Sequence, residues 1–212
     1  IVQLDAANGM AFSVQWTGAG ASRELESVFR LNHARNMGEF KSALEYFDVG
    51  SQNFAYGDIQ GNIAYFSTGE VPLREDLQAG TVNGAPPWLI RNGQGGNEWL
   101  RKTTPGPTDG TGYDTLPFAE LPQVVNPSAG FFANANNDPA GVTLDNNPLN
   151  SLRPSGVGLY FLSAGFDYGL RAARITELLR EKLARGRVDR EDMAEIQADV
   201  ALYDASVFTP AI

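Results

Sequence analysis

The segment from Thr68 to about Leu121 most constrains what this chain can fold into. It is rich in Gly, Pro, Asn and Thr and carries no sustained helical or strand periodicity. Segments this long without regular structure are uncommon in compact domains, and those that occur are either functional or disordered. Trp88, Leu89, Ile90, Trp99 and Leu100 lie inside it. A disordered linker rarely holds such residues, because their surface drives burial. The expectation is therefore a long ordered loop at about 68–121, packed against regular structure on both sides.

Those flanks show clear periodicities. Ile1 to Leu4, the Asn8-Gly9 turn and the alternation of Met10, Phe12, Val14 and Trp16 predict a half-buried β-hairpin. Ser22 is placed to cap a helix whose Leu25, Val28, Phe29 and Leu31 recur at helical spacing, most of them on one face. Asn36 and Glu39 have the spacing of a capping box and open a second helix, with Phe40, Leu44 and Phe47 on one side. A second hairpin follows, Asn53–Tyr56 and Asn62–Ser67, joined through Asp58 and Gly61. Val124-Val125 and Phe131–Ala133 read as short buried strands, with an Asn- and Asp-rich loop from Asn134 to Asn150. Phe166–Leu183 contains a strong helix with Leu170, Ala173, Ile175, Leu178 and Leu179 on its apolar face. Asp189 caps a last helix. Strand pairs alternating with helix pairs predict an α+β fold, helices layered on an antiparallel sheet.

Charge and residue types exclude several chemistries. A net charge of -9 and a pI near 4.6 oppose nucleic-acid binding and docking on anionic lipid. No apolar run approaches the roughly 18 residues of a membrane span. With no cysteine there is no disulfide, thiolate nucleophile or Cys-ligated zinc. The single histidine, His33, reads as a solvated helix residue, so a Ser-His-Asp triad is not expected. Arg91–Gly96 is glycine-rich but lacks the Lys-Ser/Thr of a phosphate loop. Asp138, Asp145 and nearby asparagines form an oxygen-rich loop, which reads as turn chemistry or as a calcium site without EF-hand spacing. In Phe131-Phe132-Ala133-Asn134-Ala135-Asn136-Asn137-Asp138-Pro139, an apolar stretch ends in three amides. Such amides are turn formers, and they also supply the N–H donors that a tetrahedral oxyanion requires.

Three segments, taken in order, resemble the penicillin acylase family. The first is the hairpin Gln52-Asn53-Phe54-Ala55-Tyr56-Gly57-Asp58 with Gly61-Asn62-Ile63-Ala64-Tyr65, running on to Thr68-Gly69 and Pro72-Leu73-Arg74. The second is Glu120-Leu121-Pro122, Asn126-Pro127, Gly130 and Ala133-Asn134-Ala135-Asn136-Asn137. The third is Arg171-Ala172-Ala173-Arg174-Ile175-Thr176-Glu177-Leu178-Leu179. Together they run from about residue 10 to residue 203.

The resemblance implies part of the four-layer αββα sandwich of N-terminal-nucleophile hydrolases, with residues 1–212 an internal fragment of the catalytic large subunit. In such enzymes a Ser freed by self-cleavage attacks the amide, with its own α-amine as base, so no imidazole is required. By similarity Asn136 falls on the oxyanion-hole asparagine, and Arg174 on an arginine that positions that asparagine and the nucleophile. Val28, Phe29 and Gln52 fall near substrate-pocket positions. Asp145 falls near a calcium ligand of some members, and catalysis itself requires no cofactor. The implied substrates are acyl amides such as penicillins, cephalosporins or acyl-homoserine lactones, and the implied location is periplasmic or secreted. Nothing here matches the mature N-terminal Ser, and Ile1 is not that nucleophile. The chain alone is therefore expected to be inactive, lacking a small subunit and the start of the large one. It is also expected to self-associate through faces those parts cover, against which a monodisperse monomer in light scattering would count. Two further readings remain open: a non-catalytic relative binding an acyl or sugar ligand, and an unrelated calcium-binding domain.

Overall fold

A computed structural model describes residues 2–103 and 112–211; Ile1, read above as the start of the first strand, lies outside them. The fold is α+β, with both sheets antiparallel. The chain forms two units that interleave in sequence: residues 1–125 with 152–159, and residues 126–151 with 160–212.

The first unit opens with the expected hairpin, β1 (Gln3–Asp5) and β2 (Met10–Phe12), in the register Leu4↔Ala11. Asp5 accepts from the backbone and side-chain N–H of Asn8, and Gly9 takes the positive φ that closes the turn. The strand stops at Phe12, and Val14 and Trp16 are exposed rather than half-buried.

In helix α1 (Glu24–His33) the apolar stripe faces out, contrary to expectation: Leu25 is 88% and Phe29 60% exposed. The inward face carries Ser27 and Leu31, four residues apart, and the Ser27 hydroxyl donates to the Ala43 carbonyl at 2.9 Å. Ser22 does not cap this helix. Arg23 occupies the N-cap position, while the Ser22 hydroxyl bonds the Glu24 carboxylate. Arg23 also grips the buried Asp48 through both carboxylate oxygens. Helix α2 (Met37–Leu44) begins as expected, with the Asn36 side chain accepting from the Glu39 N–H.

The second hairpin is β3 (Gln52–Gly57) and β4 (Ile63–Thr68), paired Phe54↔Phe66, and β5 (Gln123–Val125) adds to the far side of β4. Being central, β4 is buried on both faces: Ala64, Tyr65, Phe66 and Thr68 are all enclosed. Ala64 and Phe66 join Leu44 in the core, against Leu31, Met37, Phe40, Phe54, Tyr56 and Phe118. On the opposite face the Tyr65 hydroxyl donates to Asn53 at 2.6 Å. At the sheet edge, Val124 and Val125 are exposed, not buried as expected.

The described part of the long segment is cross-braced at several points. A short helix, α3 (Glu75–Gln78), sits in it, and isolated bridges join Pro72 to Thr115, Arg74 to Trp99 and Arg101 to Tyr113. Leu77 and Asp76 of α3 are buried. Asp76 forms an ion pair with Arg91, and their side chains are 1% and 11% exposed. Burial alone raises the Asp76 carboxyl pKa. The Arg91 hydrogen bond and charge, with the Asn83 N–H, outweigh that and hold it below its ordinary value. Arg153, from the returning residues 152–159, donates to both Glu120 oxygens at 2.8 and 3.0 Å and to Gln78 at 2.5 Å.

In the second unit, Phe131–Ala133 forms no strand, since no partner strand pairs with it among the described residues. Helices α4 (Leu170–Leu183), α5 (Arg190–Ala198) and α6 (Tyr203–Phe208) follow, so α5 is not the last helix. The strong helix starts only after Gly169, whose left-handed φ of 81° ends the preceding loop. Asp189 forms a full capping box with Asp192 on α5. Leu179 and Ile196 are the buried apolar residues of these helices.

Candidate functional site

The amide-rich loop after Phe132 is shaped by its own side chains. The Asn134 side chain accepts from the Asn136 N–H at 3.4 Å, and the Asn137 side chain from the Ala135 N–H at 3.1 Å. Asn136 adopts a left-handed φ of 62°, which asparagine tolerates better than most residues. Asp138 closes the loop, accepting from the Ala140, Gly141 and Thr143 N–H groups and the Thr143 hydroxyl.

A second segment holds Asn136 from the side. The Asp167 N–H donates to the Asn136 carbonyl at 2.8 Å, within a parallel bridge between Asn137 and Asp167. One guanidinium nitrogen of Arg171, in the first turn of α4, donates to the Ala135 carbonyl at 2.7 Å and to Asn136 Oδ1 at 2.9 Å. The same nitrogen lies 3.2 Å from the Asp167 carboxylate.

This contact dictates which way the Asn136 amide points. A guanidinium has donors and no acceptor, so the amide atom facing Arg171 is the oxygen. The NH2 end is turned to the other side, where it has no partner among the described residues, and the residue is exposed. The two N–H bonds of the Asn136 amide therefore face away from Arg171 on an exposed residue. That is the donor geometry an oxyanion accepts.

Arg174 lies elsewhere on α4. It makes a bidentate pair with Asp199 at 3.0 and 2.8 Å and reaches Glu177 at 2.7 Å. It therefore joins α4 to the C-terminus of α5. Arg171, one turn earlier, meets Asn136 instead. Hydrogen bonds from Arg174 hold the Asp199 carboxyl below its ordinary value of 3.8, and Asp199 in turn raises the Arg174 pKa. A lowered carboxyl pKa stabilises the fold above the unfolded value, and this is lost as pH falls through the folded one. Carbon-detected NMR titration of Asp199 is accordingly expected to show a midpoint below 3.8, returning to an ordinary value in Arg174→Met.

The other residues singled out by sequence lie as follows. In the first unit, Val28 and Phe29 lie on the exposed face of α1, the Phe29 ring 4.4 Å from that of His33. Gln52 starts β3 and donates to the Gly50 carbonyl at 2.9 Å. In the second unit, Asp145 accepts from the Asn147 N–H at 3.0 Å and from the Asn150 amide at 2.5 Å. Both oxygens thus face hydrogen-bond donors, whereas calcium needs a shell of further oxygens. Among the described residues no group of three His, Asp or Glu side chains converges to hold a metal.

Sequence reasoning did not single out Arg171 and Asp167. Arg171 reads there as one of several charges on the polar side of α4. The available signal was the i,i+4 spacing of Asp167 and Arg171 across the helix start.

The family profile for penicillin amidase matches residues 1–212. Penicillin G acylase from Escherichia coli is 30% identical over 146 residues, covering 66% of this chain and 14% of its own length. The solved structure of a thermostable penicillin G acylase from Alcaligenes faecalis superposes with a TM-score of 0.61 at 23% identity. That match covers 100% of this chain and 32% of the solved one.

Proposed function

The chain belongs to the penicillin amidase family, and from that premise we propose that it forms part of an acylase that hydrolyses acyl amides. The observation carrying this reading is the Asn136 amide, its oxygen held by Arg171 and its N–H bonds directed to solvent. In this reading a serine supplied from outside residues 1–212 attacks the amide carbonyl, and its α-amine takes the hydroxyl proton. Negative charge develops on the carbonyl oxygen, and the Asn136 N–H groups receive it. The C–N bond breaks and the amine leaves with the proton. Water then attacks the acyl-serine in the same way, releasing the acid and restoring the hydroxyl.

Val28, Phe29 and Gln52 are proposed to contact the acyl group; the exposure of Val28 and Phe29, 46% and 60%, supports this. The substrates proposed are penicillins, cephalosporins or acyl-homoserine lactones, or simpler acyl amides. The partners proposed are a small subunit and the remainder of the large one, in a periplasmic or secreted enzyme. The fraction of its relatives' length that the chain spans supports such partners. The assay is release of p-nitroaniline from phenylacetyl, aminoadipyl and fatty-acyl anilides by the full-length protein carrying this chain. Turnover of any of them supports the reading. Saturable binding without turnover would replace it with a ligand-binding role.

A further inference from the structure

We propose that Asn92, in the glycine-rich Arg91–Gly96 stretch, is a site of spontaneous deamidation that the native fold selects from three like pairs in the sequence. The proposal is independent of the acylase reading. Asparagine is followed by glycine at Asn8-Gly9, Asn83-Gly84 and Asn92-Gly93. In such a pair the backbone nitrogen of the glycine attacks Cγ of the asparagine. Glycine permits the attack because it has no Cβ and a freely turning backbone. The new N–C bond closes an imide ring, and the Cγ–Nδ2 bond breaks. The glycine N–H proton leaves with the amide nitrogen as ammonia. Water then opens the imide at either carbonyl, giving aspartate or its isoaspartyl form. The balance is water in and ammonia out.

The fold restrains two of these pairs and leaves the third open. At Asn8 the attacking nitrogen is engaged, since the Gly9 N–H donates to the Ala6 carbonyl at 3.4 Å. The Asn8 side chain is held too, donating to Asp5 at 2.8 Å. Asn83 is clamped at both ends of its backbone: its N–H donates to Asp76 at 2.9 Å, and its carbonyl accepts from Arg91 at 3.0 Å. Its side chain donates to the Gly96 carbonyl at 3.3 Å. At Asn92 the one side-chain hydrogen bond among the described residues favours the reaction. Its Oδ1 accepts from the Gln94 N–H at 3.1 Å, which folds the side chain back along the main chain past Gly93. A donor on Oδ1 also stabilises the negative charge that this oxygen takes when Cγ is attacked. Neither Asn92 Nδ2 nor the Gly93 N–H has a partner among the described residues. Both residues are exposed, and beyond its chain neighbours a methyl group placed on Gly93 meets nothing within 4 Å. The product sets a carboxylate next in sequence to Arg91, which holds the buried Asp76.

The test keeps the full-length protein folded in mildly alkaline buffer and follows the three pairs over days by mass spectrometry of chymotryptic peptides. Asn92 is expected to convert about 10-fold faster than Asn8 or Asn83, the factor that follows when two hydrogen bonds must open first. In guanidinium the three rates are expected to converge, because each pair then sits in a flexible chain. Isoaspartyl methyltransferase is expected to label the peptide holding Asn92 in the aged native protein. Gly93→Ala is expected to slow the conversion at Asn92 several-fold and to leave the melt unchanged, since the added methyl has room. Native conversion of Asn92 no faster than that of Asn8 or Asn83 would overturn the proposal. So would an equal lead for Asn92 in guanidinium, because the selection would then owe nothing to the fold. Should Gly93→Ala not melt cooperatively, the native and unfolded rates of the wild type decide the matter alone.

Discussion

Replacing Asn136 by alanine in the full-length protein is expected to lower kcat by about 10²–10³-fold, the usual loss of one oxyanion donor. KM is expected to change little, because the neutral carbonyl of the bound substrate gains far less from the N–H groups than the oxyanion does. Folding is not expected to suffer: the residue is exposed, and its backbone bonds to Asn134 and Asp167 remain available to alanine. The one structural cost is the left-handed φ of 62°, which alanine adopts less readily than asparagine. Asn136→Gly removes that cost, so an equal kcat loss in both variants assigns the effect to the amide. Steady-state kinetics on the best anilide, with a thermal melt of each variant, checks this. A kcat within threefold of wild type in Asn136→Gly would remove Asn136 from the oxyanion site.

The second large effect is on stability. Asp76→Ala is expected to destabilise the fold by about 3–5 kcal/mol, the range for breaking a buried ion pair from one side. Arg91 is left enclosed without its carboxylate, and the Asn83 N–H loses its acceptor. Replacing both partners, as Asp76→Leu with Arg91→Met, is expected to recover much of the loss, because no buried charge then remains. Urea unfolding measures both, and a loss below about 1 kcal/mol in Asp76→Ala would place the pair with surface bridges. The carboxyl of Asp76 is held below its ordinary value, so the pair stabilises at neutral pH and its contribution fades only as the medium falls below about pH 4.

The sequence carried the local elements well and the environments less well. Both hairpins, the Asn36 and Asp189 caps and the α4 pattern are local signals, set by turn chemistry and periodicity. What failed was the assumption that an apolar stripe faces the interior. Leu25, Val28 and Phe29 point outward because α1 packs on α2 through Ser27, whose hydroxyl needs the Ala43 carbonyl. Asn136 was legible through its neighbours in order along the chain. Arg171 was not, since its contact bridges 35 residues and depends on where α4 begins. Spacing also could not separate Arg171 from Arg174, which sit three positions apart and serve different partners.

The interleaving of the two units has a consequence for how the protein is made and cut. Residues 152–159 complete the first unit, where Arg153 clasps Glu120 and Gln78 across 33 and 75 residues. A ribosome therefore has to deliver Leu159 before that unit is whole, by which point it has already released the amide-rich loop of the other. No single scission yields either unit intact, so boundary trimming for expression fails on both sides of Val125.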